Sequence, residues 1–404
     1  MPGSGAERFR AAVWRLHGAR DPELAELLTY GRNLFDHTRT PPPDAYPLPD
    51  EPFVSVWDGY VAAAKRVGVF PCLRERLVQL RFPIARGISA TDEYRAATRR
   101  GVLSGATAEL QLVRPEGLRL FVHPTAAGRI PVIVAEERED FVSLVRALTR
   151  HNEPDPIPDS LGACIVAGYN NWDRVAALRA DWEAMHAGEL SVTGWWAAFQ
   201  ELVPRKELYQ DRFILLSSGP YSAAPAKALG LAERAWLAAS LVLRLEHECA
   251  HYFTRRVLGS MRNSVLDELV ADYVGIVAAA GRYRADWFLR FMGLEGFPRY
   301  RRGGRLENYR GDPPLSERAF TVLTAVIQRA ARELERFAVA RGGGLAETAL
   351  AITALTRVGL ERLASDRAQV CLRRAFGGPA SRSLGVLLGR PEGISQYRGV
   401  GSVI

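Results

Sequence analysis

Two histidines and a glutamate fall within five consecutive residues, in the order His247-Glu248-Cys249-Ala250-His251. Side chains four positions apart in a helix project from the same face, so both imidazoles point toward one position and Glu248 lies beside them. An H-E-x-x-H sequence of this kind is typical of two histidines that bind zinc, with the glutamate as a general base. The sequence therefore predicts a zinc site with hydrolytic chemistry.

The residues around this motif favour a long buried helix. From about Leu231 to Leu258 the chain contains no Gly or Pro, and Gly259 then provides a C-terminal cap. Burying ionisable residues in such a helix costs free energy unless something binds them, and a metal is the usual solution. The alternative is a surface helix whose His and Glu side chains face water.

A catalytic zinc requires a third protein ligand, and since no histidine follows His251, an oxygen ligand is expected. The apolar helical segment 264–280 carries Glu268 and Asp272 four positions apart. One of the two can therefore bind the metal while the other accepts a hydrogen bond from a ligand histidine. Asp267 points elsewhere on this helix and is the weaker candidate. The alternative explanation of these carboxylates is a solvated helix face.

Together the two segments resemble the gluzincin metallopeptidases, in which H-E-x-x-H is followed on a later helix by E-x-x-x-D. The second pattern is ELVAD at residues 268–272 here. The resemblance implies an α-rich α+β fold with a zincin-like core around a long active-site helix. It also implies that His247, His251 and Glu268 bind Zn²⁺, and that Asp272 supports a ligand histidine.

The resemblance covers about residues 231–280 and departs from the better known members of the family in two ways. The 17 positions from His251 to Glu268 are few for a gluzincin, which implies a tight connection through residues 259–263. The G-x-M-x-N signature of aminopeptidase relatives does not precede the motif here. The substrate class therefore stays open.

The mechanism that the resemblance implies is hydrolysis by a zinc-activated water. Zinc lowers the pKa of the water toward neutrality and polarises a carbonyl, while Glu248 takes the proton and passes it to the leaving group. The oxyanion that forms needs a further donor. With no histidine downstream, Tyr309 is the first candidate, and Tyr300 and Arg310 come next. A tyrosine packed at a helix start is the alternative for Tyr309.

A short strand is predicted from Arg212 to Ser218, ahead of the proposed active-site helix. In zincins an edge strand in this place holds the substrate backbone by strand addition. The segment can equally be an ordinary core strand without a role in substrate binding, and the sequence does not decide between these alternatives.

Proline-rich stretches suggest how the chain is organised. Residues 40–52 form a connector that cannot be regular structure, and a second break at 151–158 marks the main boundary. The predicted parts are an N-terminal α/β region at 1–155, a zincin-like catalytic domain at 156–376 and a Gly/Ser-rich tail at 377–404.

The elements follow from apolar periodicity and turn residues. Asn171 is expected to cap its helix, although Asn170, Asn171, Asp173 and Arg174 can alternatively line a substrate pocket. Helices are predicted at about 6–16, 22–34, 54–69, 91–100, 137–149, 171–187, 231–258, 264–280, 315–341 and 345–376. Strands are predicted at 118–123, 130–135, 163–167 and 212–218.

Composition limits the partners and the compartment. The 404 residues carry a net charge of +8, but no long basic stripe is interleaved with aromatics, so neither nucleic acid nor a membrane is expected as a partner. The basic run at 299–305 can recognise phosphate or carboxylate, although a solvated loop is the favoured interpretation. Residues 1–20 lack an unbroken apolar segment, and the four cysteines are widely spaced. A cytoplasmic protein with reduced cysteines is therefore expected.

These observations together predict a zinc-dependent hydrolase that cleaves a peptide or a small amide bond. The first alternative is a specialised metabolic zinc enzyme that carries out deacylation, elimination or cyclisation. The second is a non-catalytic, zincin-like binding protein whose metal is structural or lost.

Overall fold

The computed structural model describes residues 5–103, 109–186, 192–260, 264–337 and 344–377. Its helices are, in chain order, α1 Gly5–Leu16, α2 Asp21–Tyr30, α3 Val54–Val67, α4 Val69–Arg76, α5 Asp92–Arg100, α6 Arg138–Thr149, α7 Trp172–Met185, α8 Val192–Leu202, α9 Glu233–Leu258, α10 Val265–Ala280, α11 Ala285–Met292, α12 Glu317–Arg336, α13 Leu345–Val358, α14 Leu360–Leu363 and α15 Ala368–Phe376. Its strands are β1 Arg119–His123, β2 Ile130–Ala135, β3 Ala163–Asn170 and β4 Gln210–Ser217. The architecture is α-rich α+β, which confirms this part of the predicted fold class.

The chain divides into two compact units. One consists of Met1–Leu48 together with Ala224–Ile404, and we call it the discontinuous unit; the other, Pro49–Ala223, is the sheet unit. The division differs from the predicted boundary at residue 155, because strands on both sides of that residue pair in one sheet. The first dividing point lies within the proline-rich connector, whose regular structure among the described residues is one 3₁₀ turn at Pro43–Ala45.

The four described strands of the sheet unit form one mixed sheet in the order β1-β2-β4-β3. Strand β4 runs parallel to β2 and antiparallel to β3, so that Ile214 is paired with Val132 on one side and with Ile165 on the other. Its backbone is therefore occupied along both edges. Strand β4 is therefore a core strand, which favours the second of the two alternatives left open by the sequence.

Helix α7 of the sheet unit begins as predicted. The Asn171 side chain accepts hydrogen bonds from the backbone N–H groups of Asp173 and Arg174, which confirms the capping role. The Asn171 amide also donates to Asp211 Oδ2 at 2.6 Å, and Arg174 pairs with the other carboxylate oxygen of Asp211. These buried polar groups satisfy one another, so they form a structural network in place of the alternative substrate pocket.

Helices make up the described part of the discontinuous unit. Two of them, α9 and α10, pack against each other and carry buried polar side chains. Helix α9 ends at Gly259, whose φ of 66° is the left-handed conformation that glycine adopts without strain. Helix α10 begins at Ser264, whose side chain accepts a hydrogen bond from the Asp267 N–H. Both predicted helices are confirmed to within two residues. Residues 261–263 of the predicted tight connection lie outside the described residues.

Two predicted helices near the C-terminus differ from the structure. The segment 345–376 is three helices, α13, α14 and α15, because the chain turns at Gly359 with a φ of 76°. Helix α12 ends at Arg336, whereas the predicted helix runs to 341; residues 338–343 and the tail from 378 lie outside the described part of the chain. Among the described helices, none has both the length and the apolar character needed to cross a membrane.

Candidate metal centre

Buried polar side chains run along one side of α9. They are Ser240, Arg244, His247, His251 and Thr254, spaced alternately four and three residues apart, and each is less than 9% exposed. This spacing follows the helical repeat, so the five side chains share one stripe of the helix. A polar stripe of this kind needs partners on the neighbouring element, because buried polar groups without hydrogen bonds are costly.

Helix α10 supplies those partners as carboxylates. Asp267, Glu268 and Asp272 are all buried, at 1%, 5% and 0% exposure. The Glu268 carboxylate lies between the two imidazoles, with Oε2 3.6 Å from His247 Nε2 and Oε1 3.4 Å from His251 Nε2. The structure thus brings the three predicted ligands together, and their ligand atoms all lie within 4.8 Å of one another.

Each histidine has its second ring nitrogen at a different carboxylate. His247 Nδ1 lies 2.8 Å from Asp272 Oδ1, as predicted for a residue that supports a ligand. His251 Nδ1 lies 3.2 Å from Asp267 Oδ2, so the prediction that Asp267 points elsewhere is wrong. A proton on each Nδ1 leaves both Nε2 atoms with a lone pair, and these two atoms are 3.1 Å apart.

Asp267 is itself held in place from α9. The Thr254 hydroxyl, one turn after His251, is 3.2 Å from Asp267 Oδ1, and Thr254 is fully buried. Asp267 was ranked low from the sequence because it is adjacent to Glu268 and so projects about 100° away around the helix. The two histidines lie on different sides of Glu268. A carboxylate on each side of Glu268 around α10 therefore faces one histidine.

A 3₁₀ turn at Arg305–Tyr309 closes the other side of the carboxylates. Tyr309, at the end of the turn, interacts with Glu268, and burial together with the negative charge of Glu268 raises the pKa of Tyr309 far above its usual value. At the start of the turn, Arg305 contacts Asp272 Oδ2 and lies 3.6 Å from Glu268 Oε2. The sequence predicted Tyr309 near the site but missed Arg305, which was assigned to a solvated loop.

The other two candidate donors are engaged elsewhere. The Tyr300 hydroxyl donates to the backbone carbonyl of Gly304 at 2.7 Å. Arg310 pairs with Glu307 and Glu317 and lies over the ring of Phe320. Of the three donors predicted from the sequence, Tyr309 is therefore the one whose side chain the structure places at the ligand carboxylate.

Comparison with protein families gives one match. A family model described as "Family of unknown function (DUF7005)" matches residues 12–367. The chain belongs to this family. The DUF7005 match begins within α1 and ends between α14 and α15, so it includes every residue of the site. No curated protein and no solved structure matches the chain.

The donor set of this DUF7005 chain fits a cation. The two Nε2 atoms lie 3.1 Å apart, and Glu268 Oε2 is buried without a hydrogen-bond partner among the described residues. Glu248 and three further carboxylates, Asp267, Glu268 and Asp272, surround the position, and Arg244 and Arg305 lie beside them. Carboxylates gathered in a buried place favour a bound cation, so these buried groups can hold a metal.

The pKa shifts of this DUF7005 site agree with a position that attracts a cation. Burial alone would lower the pKa of His251, but Asp267 and Glu268 raise it well above its usual value. Burial raises the pKa of Glu268, yet the His251 hydrogen bond and the charges of His247 and Arg305 outweigh burial and lower it overall. The field of the carboxylates therefore attracts positive charge to the position between the imidazoles.

Glu248, the predicted general base, is partly buried on α9 beside its two histidine neighbours. Burial raises the pKa of Glu248, while the charges of His247 and His251 act in the opposite direction. Arg244, one turn earlier on the same helix, also lowers the pKa and is itself 3% exposed. Sequence analysis missed Arg244; its spacing of four residues from Glu248 is the signal that identifies it.

Proposed function

We propose that the protein is a zinc-dependent hydrolase of the metallopeptidase type, which cleaves a peptide or a small amide bond. The observation that carries the proposal is the convergence of His247 Nε2, His251 Nε2 and the Glu268 carboxylate on one buried position. Two imidazoles and one carboxylate are a donor set of catalytic zinc sites, which keep a further position for water or substrate. We further infer that α9 and α10 belong to a zincin-like core.

The second ring nitrogens support the choice of zinc chemistry. Histidines that bind zinc almost always donate their other N–H to a carboxylate, a carbonyl or water, which fixes the tautomer and makes the ligand more basic. Asp272 Oδ1 meets this requirement for His247 at 2.8 Å, and Asp267 Oδ2 lies within ion-pair distance of His251 Nδ1, at 3.2 Å. A surface helix with solvated histidines would not place a buried carboxylate at each ring.

When bound, zinc supplies a Lewis acid for the substrate carbonyl and makes a water molecule more acidic. The chain's own contribution to the reaction is the Glu248 carboxylate, which takes the proton of the attacking water and delivers it to the leaving nitrogen. Because burial raises the pKa of Glu248, the carboxylate is a stronger base than an exposed glutamate. The positive charge of Arg244 acts in the opposite direction and favours the ionised form.

The test combines metal content with a variant of the base. The purified protein is expected to hold one zinc per chain, and Glu248→Gln is expected to keep that zinc while hydrolysis falls by about 10²-fold or more. Turnover is measured as amine release from a peptide library and from a set of small N-acyl amides. Glu233→Gln is the matched control, since Glu233 is an exposed residue in the first turn of the same helix.

Each outcome of this test favours one of the alternative functions or contradicts the proposal. Zinc binding without turnover of any substrate in either set would favour the non-catalytic binding protein. Cleavage of small amides but not of peptides would favour the specialised metabolic enzyme. A protein that fails to bind zinc, or a Glu248→Gln variant with the activity of the Glu233→Gln control, would falsify the proposed mechanism.

A further inference from the structure

We propose that Arg305 is a positioning residue of the metal centre, and that its guanidinium group fixes the orientation of both the Glu268 ligand and the Asp272 partner of His247. The inference rests on the proposed zinc site. The proposed ligands come from α9 and α10, and Arg305 adds a contact from a third element, the turn at Arg305–Tyr309.

The contacts form a chain that ends at the ligand atoms. Arg305 contacts Asp272 Oδ2, and the other oxygen of the same carboxylate, Oδ1, lies 2.8 Å from His247 Nδ1. Asp272 therefore bridges Arg305 and His247. The same guanidinium lies 3.6 Å from Glu268 Oε2, the buried oxygen that has no hydrogen-bond partner among the described residues.

Burial makes this arrangement specific to arginine. The side chain of Arg305 is 12% exposed and that of Asp272 is fully buried, so the carboxylate has little access to water as a substitute partner. A planar guanidinium carries five N–H donors and can contact two carboxylates at once, whereas the ammonium of lysine is a compact point charge on a flexible stem. Loss of the guanidinium removes the partner of Asp272 Oδ2 and leaves the contact between Oδ1 and His247 Nδ1 in place.

The neighbouring arginines provide a contrast within one segment. Arg301 and Arg302 of the same basic run are exposed, and Arg301 pairs with Glu295 away from the site. Arg305 instead begins the 3₁₀ turn whose last residue, Tyr309, interacts with Glu268. The two ends of one turn thus contact the carboxylates of α10, which places Arg305 in the metal site and leaves its neighbours outside it.

The experiment compares metal affinity among three variants. Zinc affinity is measured by competition with a chromophoric chelator, and ligand geometry is measured from the visible absorption spectrum of bound Co²⁺. We expect Arg305→Gln to weaken zinc binding by about 10–100-fold and to change the Co²⁺ spectrum. Arg305→Lys should recover part of the affinity, and Arg302→Gln, which removes the same charge nearby, should leave both measurements unchanged.

The outcomes also separate this inference from the proposed function. Wild-type protein that binds no zinc refutes both proposals. Wild-type zinc binding with unchanged or tighter binding by Arg305→Gln refutes the role of Arg305 and leaves the zinc site intact. Far-UV circular dichroism of the metal-free variants checks that they fold. If Arg305→Gln does not fold, the charge-retaining Arg305→Lys decides, since weaker zinc binding with a changed Co²⁺ spectrum supports positioning and unchanged values refute it.

Discussion

Two carboxylates on α10 each contact a different histidine of α9. Asp272 faces His247 and Asp267 faces His251, so each imidazole has its own buried anion at Nδ1. A carboxylate at that nitrogen fixes the proton there and leaves Nε2 as the metal-binding atom. Asp267 should therefore matter to metal binding as much as Asp272 does.

Asp267→Asn is expected to weaken zinc binding by about tenfold or more, because the isosteric amide keeps the shape but loses the negative charge at His251. Chelator competition measures the change. Asp286→Asn is the control, since Asp286 is an exposed carboxylate on α11 that pairs with Arg284. Loss of affinity in Asp272→Asn but not in Asp267→Asn would show that the ranking made from the sequence was right.

Two roles are open to Tyr309: it can support the Glu268 carboxylate or donate to the oxyanion. Its side chain interacts with Glu268, so Tyr309→Phe, which removes the hydroxyl beside the proposed ligand carboxylate, is expected to lower zinc affinity about tenfold. Tyr300→Phe is the matched control, because that hydroxyl donates to Gly304 O. An unchanged zinc affinity with a 10²–10³-fold loss of turnover would instead support the oxyanion role predicted from the sequence.

The sequence predicted the residues that lie at fixed helical spacing and missed those whose position depends on the fold. His247, His251, Glu268 and Asp272 were identified because spacings of four residues determine a shared helix face. Arg305 could not be identified in this way, since it enters from a 3₁₀ turn some thirty residues later and is distinguished from Arg302 only by burial.

At the scale of elements, the site depends on how closely α9 and α10 approach each other. Gly275 on α10 lies against the backbone of α9, and a Cβ atom at this position would come within 2.5 Å of the Leu243 carbonyl oxygen. No side chain can rotate to relieve a contact with backbone. The glycine therefore permits the short distance between helices that brings the carboxylates of α10 to the histidines of α9.

Gly275→Ala is expected to force the two helices apart, with a loss of about 1–3 kcal/mol in the free energy of unfolding and a weaker zinc site. Gly59→Ala is the control: Gly59 is also inside a helix, α3, but a Cβ there meets no described atom within 4 Å. That substitution should stabilise the protein by about 0.5–1 kcal/mol. Urea unfolding and zinc titration measure both effects, and equal responses of the two variants would contradict the close-packing argument.

Elements were predictable where their signal is local. Apolar periodicity and the glycine at 259 located α9 and α10 within two residues. The order of strands was not accessible, because pairing of β4 between β2 and β3 is a long-range property that no window of sequence contains. The single helix predicted at 345–376 was wrong for a related reason, since Gly359 is tolerated in a helical pattern but turns the chain here.

At the scale of the molecule, residues near the start of the chain lie in the same compact unit as residues of its C-terminal half. Tyr30 on α2 donates a hydrogen bond to the Tyr309 carbonyl oxygen at 2.7 Å, and Arg10 on α1 pairs with Glu361 on α14. These contacts join residues about 280 and 350 positions apart. Local patterns cannot reveal such closure, which is why the sequence assigned residues 1–48 to a separate N-terminal region.

A metal held between α9 and α10 should therefore protect the discontinuous unit in particular. Zinc at a hundredfold excess over its Kd stabilises the binding-competent fold by about 2.7 kcal/mol, and it acts only on openings that break the site. Hydrogen–deuterium exchange is expected to slow in α9, α10 and the turn at Arg305–Tyr309 when zinc is added, and EDTA should reverse the change. Strands β1 to β4 of the sheet unit serve as the internal control. Equal slowing in those strands, or none in α9, would show that the ion binds outside the predicted cluster.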